Sequence, residues 1–138
     1  MKRQCYSSGT PWEAQAAYSR AVRVGPLISV SGTTASNSDG STAAPGNAYE
    51  QTRIILRKIE LALAQLGARL SDVVRTRMFV VDLGQWPDVA RAHQEAFAGI
   101  NPAATLVEVR RLINPDHLVE IEADAVVQDG ADHPALLP

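Results

Sequence analysis

The sequence predicts a single α+β domain: a mixed β-sheet with two helices on one of its faces. Three observations predict it. Apolar residues recur at helical spacing over residues 47–66 and again over 87–98. Short β-branched runs lie before, between and after those two stretches. The 138 residues, 46% hydrophobic and 20% charged, suit one core and no second domain.

Val22–Val24 and Leu27–Ser31 meet at Gly25-Pro26, which predicts a tight hairpin with Gly25 at positive φ. From Thr33 to Gly46 the chain is almost entirely Ser, Thr, Ala, Asn, Asp, Gly and Pro. That composition predicts a long loop, either mobile or the rim of a cleft, and its attachment after Ser31-Gly32 places its start at the cleft.

Thr52, Ile55, Leu56, Ile59, Ala62, Leu63 and Leu66 share one helix face, so Asn47–Leu66 is predicted as a helix closed by Gly67 at C′. Val73–Val81 alternates as a strand, with Val74, Thr76, Met78 and Val80 on one face and Arg75, Arg77 and Phe79 on the other. A second helix is predicted over Pro87–Ala98, its stripe running from Trp86 through Val89, Ala90, His93 and Phe97 to Ile100. Two strands follow, Ala104–Arg110 and Leu118–Val127, joined by a turn at Asn114-Pro115-Asp116. Residues 1–128 form the domain, and residues 129–138, polar and then proline-bearing, are expected to be a loose tail.

Alternation in the last strand puts Val119, Ile121, Ala123 and Ala125 under the helices. The other sheet face then carries Arg75, Arg77, Glu108, Arg110, Glu120, Glu122 and Asp124, with charges nearly balanced. Two readings of that face are open. It is solvated, as antiparallel sheets commonly are on one side, or it is an oligomer interface in which the charges pair and line clefts.

Composition excludes several function classes. A net charge of −2 with no basic cluster argues against nucleic acid as a partner. Cys5 is the one cysteine, so no intramolecular disulfide forms. No apolar run reaches the roughly 18 residues that cross a bilayer, and no apolar segment follows Lys2 and Arg3 as in a signal peptide. No membrane association and a cytoplasmic location are therefore expected. His93, His117 and His133 lack metal-ligand spacing, and Glu120, Glu122 and Asp124 spread along a straight strand instead of converging, so no metal is expected. No phosphate loop or nucleophile elbow appears, and no cofactor is expected. His93, on an apolar stripe, is expected to be a hydrogen-bonded core or interface residue.

An ordered set of short motifs resembles the Rid/YjgF family, the reactive intermediate (enamine/imine) deaminases. Ala17-Tyr18-Ser19-Arg20-Ala21-Val22 is similar to the family's opening Pro-Tyr-Ser-x-Ala-Val, and Val30-Ser31-Gly32 to its Val-Ser-Gly strand motif. Gln51-Thr52-Arg53, Leu66-Gly67-Ala68, Met78-Phe79-Val80-Val81-Asp82, Asn101-Pro102-Ala103 and Leu118-Val119-Glu120-Ile121-Glu122-Ala123 follow at the family's spacing. The resemblance spans about residues 16–128.

It implies a RidA-like, chorismate-mutase-like fold assembled as a homotrimeric barrel, with small-molecule clefts between subunits. It also implies a hydrolytic deaminase in which Glu120 holds the attacking water while Tyr18, Ser31, Gly32 and the positions of Ala104 and Thr105 contact substrate. The departures bear on activity. The family's carboxylate-binding arginine, directly after Pro-Ala, is Ala104 here; its second-helix asparagine is Ala90, and the cysteine two residues after the arginine is Leu106. Arg20, Arg75 and Arg77 are the candidates for a replacement cation. The functional expectation is therefore a small-molecule enzyme acting on a C=N bond but not a standard 2-imino-acid deaminase, or else a non-catalytic small-molecule-binding or regulatory trimer.

Overall fold

Helix α2 (Ala48–Gln65) begins where Asn47 stands in an extended conformation and its side chain accepts a hydrogen bond from Glu50 N, meeting one of the helix's free N–H groups. It ends where Gly67, at φ +81°, turns the chain back. There Ala68 N donates to Leu63 O at 2.9 Å and Gly67 N to Ala64 O at 3.2 Å, a pair of bonds that satisfies the last carbonyls. Ile55, Ile59 and Leu63 are fully buried, as their spacing predicts. The computed structural model describes residues 1–128; the expected tail and His133 lie outside the described residues.

Six strands form one sheet in the order β1-β2-β3-β6-β4-β5. They are β1 (Arg3–Tyr6), β2 (Ala21–Val24), β3 (Leu27–Thr33), β4 (Val73–Val80), β5 (Ala103–Glu108) and β6 (Val119–Val126). All neighbours pair antiparallel except β4 and β5, which run parallel and are joined through helix α3 (Trp86–Phe97). The β2–β3 turn is the two-residue Gly25-Pro26, with Gly25 at φ +58°. Ile28, Val30, Val80, Val119 and Ile121 of the sheet share one buried core with the apolar face of α2 and with Phe97 of α3. Truncating one of its fully buried side chains, Ile59→Ala for instance, costs about 2–5 kcal/mol.

The N-terminal twenty residues hold two elements not expected from the sequence, β1 and the short helix α1 (Pro11–Ala16). Thr10-Pro11-Trp12-Glu13 carries the signal for α1: a hydroxyl residue, Pro at the first helical position and an acid three residues on.

Two parity assignments are corrected. Val73 and Val74 together meet the β6 ladder through a register shift, so Val73 is buried and Val74 is exposed instead of lying beneath the helices. Strand β5 ends at Glu108, two residues before Arg110, and pairs Met78 with Leu106 and Val80 with Glu108. Glu108 therefore has helix-side parity, not the open-face position expected for it and Arg110. Its carboxylate accepts from Leu83 N at 3.0 Å, in the single 3₁₀ turn Leu83–Gln85 before α3.

The 33–46 segment is a bonded loop, not a loose one. Ser36 and Thr42 form a β-bridge, Ala35 is fully buried, and Lys58 of α2 donates to the carbonyls of Thr34 and Ser36.

Candidate functional site

The site starts from an irregularity in the sheet. Val30 pairs with Ala123 and Thr33 with Ile121, so Ser31 and Gly32 together oppose the one residue Glu122. This bulge turns Gly32 toward β6. A Cβ placed on Gly32 would lie 2.8 Å from Glu120 Oε2, so the missing side chain is the space the carboxylate occupies. Ser31 ties the neighbouring strand to the bulge: its hydroxyl donates to Ser19 O at 2.7 Å and its N–H to Arg20 O at 2.9 Å. Those bonds hold Tyr18-Ser19-Arg20 beside Glu120, with the Arg20 guanidinium 5.7 Å from the Tyr18 ring centroid.

Burial raises the Glu120 pKa above the ordinary carboxylate value; Arg20 opposes that rise and the like charge of Glu122 adds to it. Such a group exchanges protons nearer neutral pH than a solvated carboxylate does.

Gln51 anchors the start of the strand that carries Glu120. Fully buried, its amide Nε2 donates to Asp116 O at 3.0 Å and Ala44 O at 3.2 Å, while its Oε1 accepts from Leu118 N at 2.9 Å. The start of β6 is thereby anchored to α2. Nothing in the helical periodicity marks a buried glutamine; the resemblance to the family at Gln51-Thr52-Arg53 was the one signal at that position.

Of the six residues expected at the site, Gly32 lies against Glu120, Ser31 stands beside Gly32 in the bulge, and Tyr18 adjoins Ser19, the hydrogen-bond partner of Ser31. The structure does not bring Ala104 and Thr105 to them within one chain. Ala104 pairs with Thr76 on the helix side of the sheet, whereas Glu120 pairs with Phe79 on the open side. Thr105 shares Glu120's face but lies two strands away, about 12 Å by ordinary strand spacing.

On the helix side, between α3 and β5, lies a separate cavity of about 560 Å³, lined by Met78, Trp86, Ala90, His93, Phe97 and Leu106 among others. Leu106 and Ala90, at the family's cysteine and asparagine positions, leave it largely apolar. Its polar lining residues are His93, Gln94 and Asn101; His93 Nε2 is 2.9 Å from Thr76 Oγ1 and its ring centroid is 4.7 Å from that of Phe97. Burial lowers the His93 pKa, so the ring is neutral at pH 7, the hydrogen-bonded apolar-stripe residue expected of it.

On the open face Arg77 reaches Glu122 at 3.3 Å and Asp124 at 3.2 Å, and Ser29 Oγ donates to Asp124 at 3.0 Å. Val24, Leu27, Val107 and Val126 are exposed on the same face.

Residues 9–127 match the family described as Endoribonuclease L-PSP. The chain belongs to this family, the YjgF/Rid proteins. Among solved structures it is similar to Rv2704 of Mycobacterium tuberculosis, a YjgF/YER057c/UK114 family member, at 49% identity and a TM-score of 0.84 over 91% of this chain and all of that one. It is 36% identical to an uncharacterised protein of Streptomyces coelicolor over 86% of this chain and 87% of the relative. It is also 32% identical to the 3-aminoacrylate deaminase RutC of Acinetobacter baylyi, over 86% of this chain and 93% of RutC. The Rid fold expected from the motifs is thus the fold found. Among the described residues no helix is long and apolar enough to cross a membrane.

Proposed function

We propose that this Rid-family chain works as a homotrimer whose inter-subunit clefts bind a small molecule, and that Glu120 there hydrolyses an enamine or imine lacking a carboxylate anchor at residue 104. The observation that carries the reading is the half-buried Glu120 carboxylate, laid against Gly32 with its pKa raised. Such a group takes a proton from water as the water adds to the imine carbon. It then returns that proton to the departing nitrogen, so that R₂C=NH and H₂O become R₂C=O and NH₃.

The two faces support assembly: Glu120 and Ala104 lie on opposite sides of one sheet, and a second copy would bring a Glu120 against another chain's β5. The exposed valines and leucine around the Arg77 pairs support burial of the open face in such a contact. The similarity to RutC supports a C=N or enamine substrate. The apolar lining around Leu106 and Ala90 supports a substrate with an apolar substituent there.

The test is hydrolysis of imines generated by an amino-acid oxidase and trapped by semicarbazide, over a series from 2-iminopropionate to imines with larger apolar side chains. Accelerated hydrolysis of an apolar member, lost in Glu120→Gln, is expected. A second reading, a binding protein without catalysis, is favoured by the replacement of the family's arginine, asparagine and cysteine with Ala104, Ala90 and Leu106. Saturable binding of these compounds with no turnover by wild type would establish it instead.

A further inference from the structure

A cavity of about 260 Å³ opens beside α2, lined by Tyr6, Ser8, Arg20, Asn37, Ser38 and Lys58 among others. It is separate from the apolar cavity at Leu106. Its size is near the lower limit for ligand pockets, which admits only a compact guest.

Two cations share its wall, and neither makes an ion pair with a carboxylate among the described residues. The arginines of α2 and α3 behave otherwise, since Arg53, Arg57 and Arg91 each pair with an acid three residues away. Arg20 Nε is buried and has no hydrogen-bond partner among the described residues. Lys58 is half-buried, and both its desolvation and the nearby Arg20 charge disfavour its charged form. Two like charges facing one small cavity, one of them with an unused buried donor, are stabilised by an anion between them.

The acids nearby are otherwise engaged. Glu13 is enclosed by hydrogen bonds from Ser8 and Thr10, and Asp39 by bonds from Ser41. Glu120 is attracted by Arg20 but lies against Gly32.

We propose that this cavity binds a compact oxyanion, the carboxylate or phosphate group of a small molecule, with Arg20 as its hydrogen-bond donor and Lys58 as the second charge. An arginine can present two parallel N–H groups to such a group, and Asn37 and Ser38 of the loop line the same cavity. The site does not depend on Glu120 being catalytic.

The experiment is calorimetric titration of the full chain with inorganic phosphate and, separately, with acetate, at constant ionic strength. Saturable binding of at least one anion is expected. Arg20→Gln should weaken it by at least about tenfold, as loss of a charge-assisted bond does, and the surface control Arg57→Gln should leave it unchanged. Lys58 also ties down the 33–46 loop, so Lys58→Met is accompanied by Lys58→Arg, which keeps the charge and should retain binding. Preference for phosphate assigns a phosphate ester as the guest; preference for acetate assigns a carboxylate. Absence of saturable binding of both anions, or wild-type affinity in Arg20→Gln, overturns the proposal. Glu120→Gln should bind the anion at least as well as wild type, so a failed deaminase assay leaves this result independent.

Discussion

Glu120 Oε2 occupies the space that a side chain on Gly32 would fill, 2.8 Å from where its Cβ would stand. The glycine is required here by contact, not by positive φ, because it faces a carboxylate across a bulge. Gly32→Ala should therefore displace Glu120 and let water reach it. The expected outcome is a folded protein in which the Glu120 pKa, followed by carboxyl ¹³C NMR, moves back toward the ordinary carboxylate value. An unchanged titration would show that burial at Glu120 comes from elsewhere.

Gln51→Leu should be costly although it adds apolar surface. The substitution leaves Leu118 N without its acceptor and the Ala44 and Asp116 carbonyls without their Nε2 donor. A buried group left unsatisfied costs about 1–3 kcal/mol. Urea unfolding is expected to show a loss of at least the lower figure; a neutral result would mean that water replaces the amide.

His117 should contribute an acid-side loss of stability. It is 1% exposed, and both ring nitrogens lack hydrogen-bond partners among the described residues. Burial lowers its pKa below 6.5, with Asp116 opposing and Lys58 adding to the shift. The folded protein thus prefers neutral histidine, and the unfolded chain takes up the proton first as pH falls. The His117 contribution is fully present above about pH 6.5 and declines as pH drops from there through the folded value. Glu120, with a raised pKa, contributes with opposite sign: it adds stability as pH falls from its folded value toward 4.5. Comparing wild type with His117→Leu cancels the Glu120 contribution. The variant should be no less stable at pH 7.5, since an unpartnered polar ring is replaced by an apolar group, and its stability should fall less between pH 6.5 and 5. Equal slopes in denaturant titrations would refute the assignment.

Arg77 tests assembly. In a single chain its bonds to Glu122 and Asp124 are part-exposed, and such pairs contribute about 0–1 kcal/mol. Buried against another copy, the same cluster would lose about 3–5 kcal/mol on truncation of the arginine. Light scattering should give three times the 14.8 kDa chain mass for wild type and a smaller species for Arg77→Ala at low concentration. A monomeric wild type at micromolar concentration would remove the trimer.

Most of the sheet and both long helices were legible because periodicity reports which side of an element is buried. Ile55, Ile59 and Leu63 lie where the helical stripe puts them. Parity failed at Val74 and at Glu108, where a bulge in one strand and a parallel neighbour set the register; neither leaves a mark in a hydrophobic pattern. Motif resemblance marked Ser31 and Gly32 but not the bulge they form; the bulge, and the contact of Gly32 with Glu120, appear only in three dimensions. Nothing in the helical pattern singles out Lys58, whose bonds to the Thr34 and Ser36 carbonyls order a loop that composition left as either mobile or a cleft rim.

The last prediction concerns residue 104. An arginine holds a carboxylate with two parallel charge-assisted hydrogen bonds, and Ala104 offers none. Each such bond contributes about 1.5–3 kcal/mol, and each 1.36 kcal/mol is tenfold in rate, so wild type should hydrolyse 2-iminopropionate on the order of 10²-fold or more below arginine-bearing relatives. Orientation is lost as well, because an unanchored imine carbon samples many distances from a water on Glu120. Neither Arg75 nor Arg77 shares Ala104's face of the sheet, since Ala104 pairs with Thr76 between them. Arg20 lines the other cavity, two cations deep, and is poorly placed to serve β5 of its own chain. Ala104→Arg should therefore raise kcat/KM for 2-iminopropionate in the oxidase–semicarbazide assay while leaving the Glu120 pKa unchanged. No gain, with the fold intact, would transfer the deficit to Ala90 and Leu106 in the apolar cavity; wild-type activity equal to that of arginine-bearing relatives would show that another cation already grips the carboxylate.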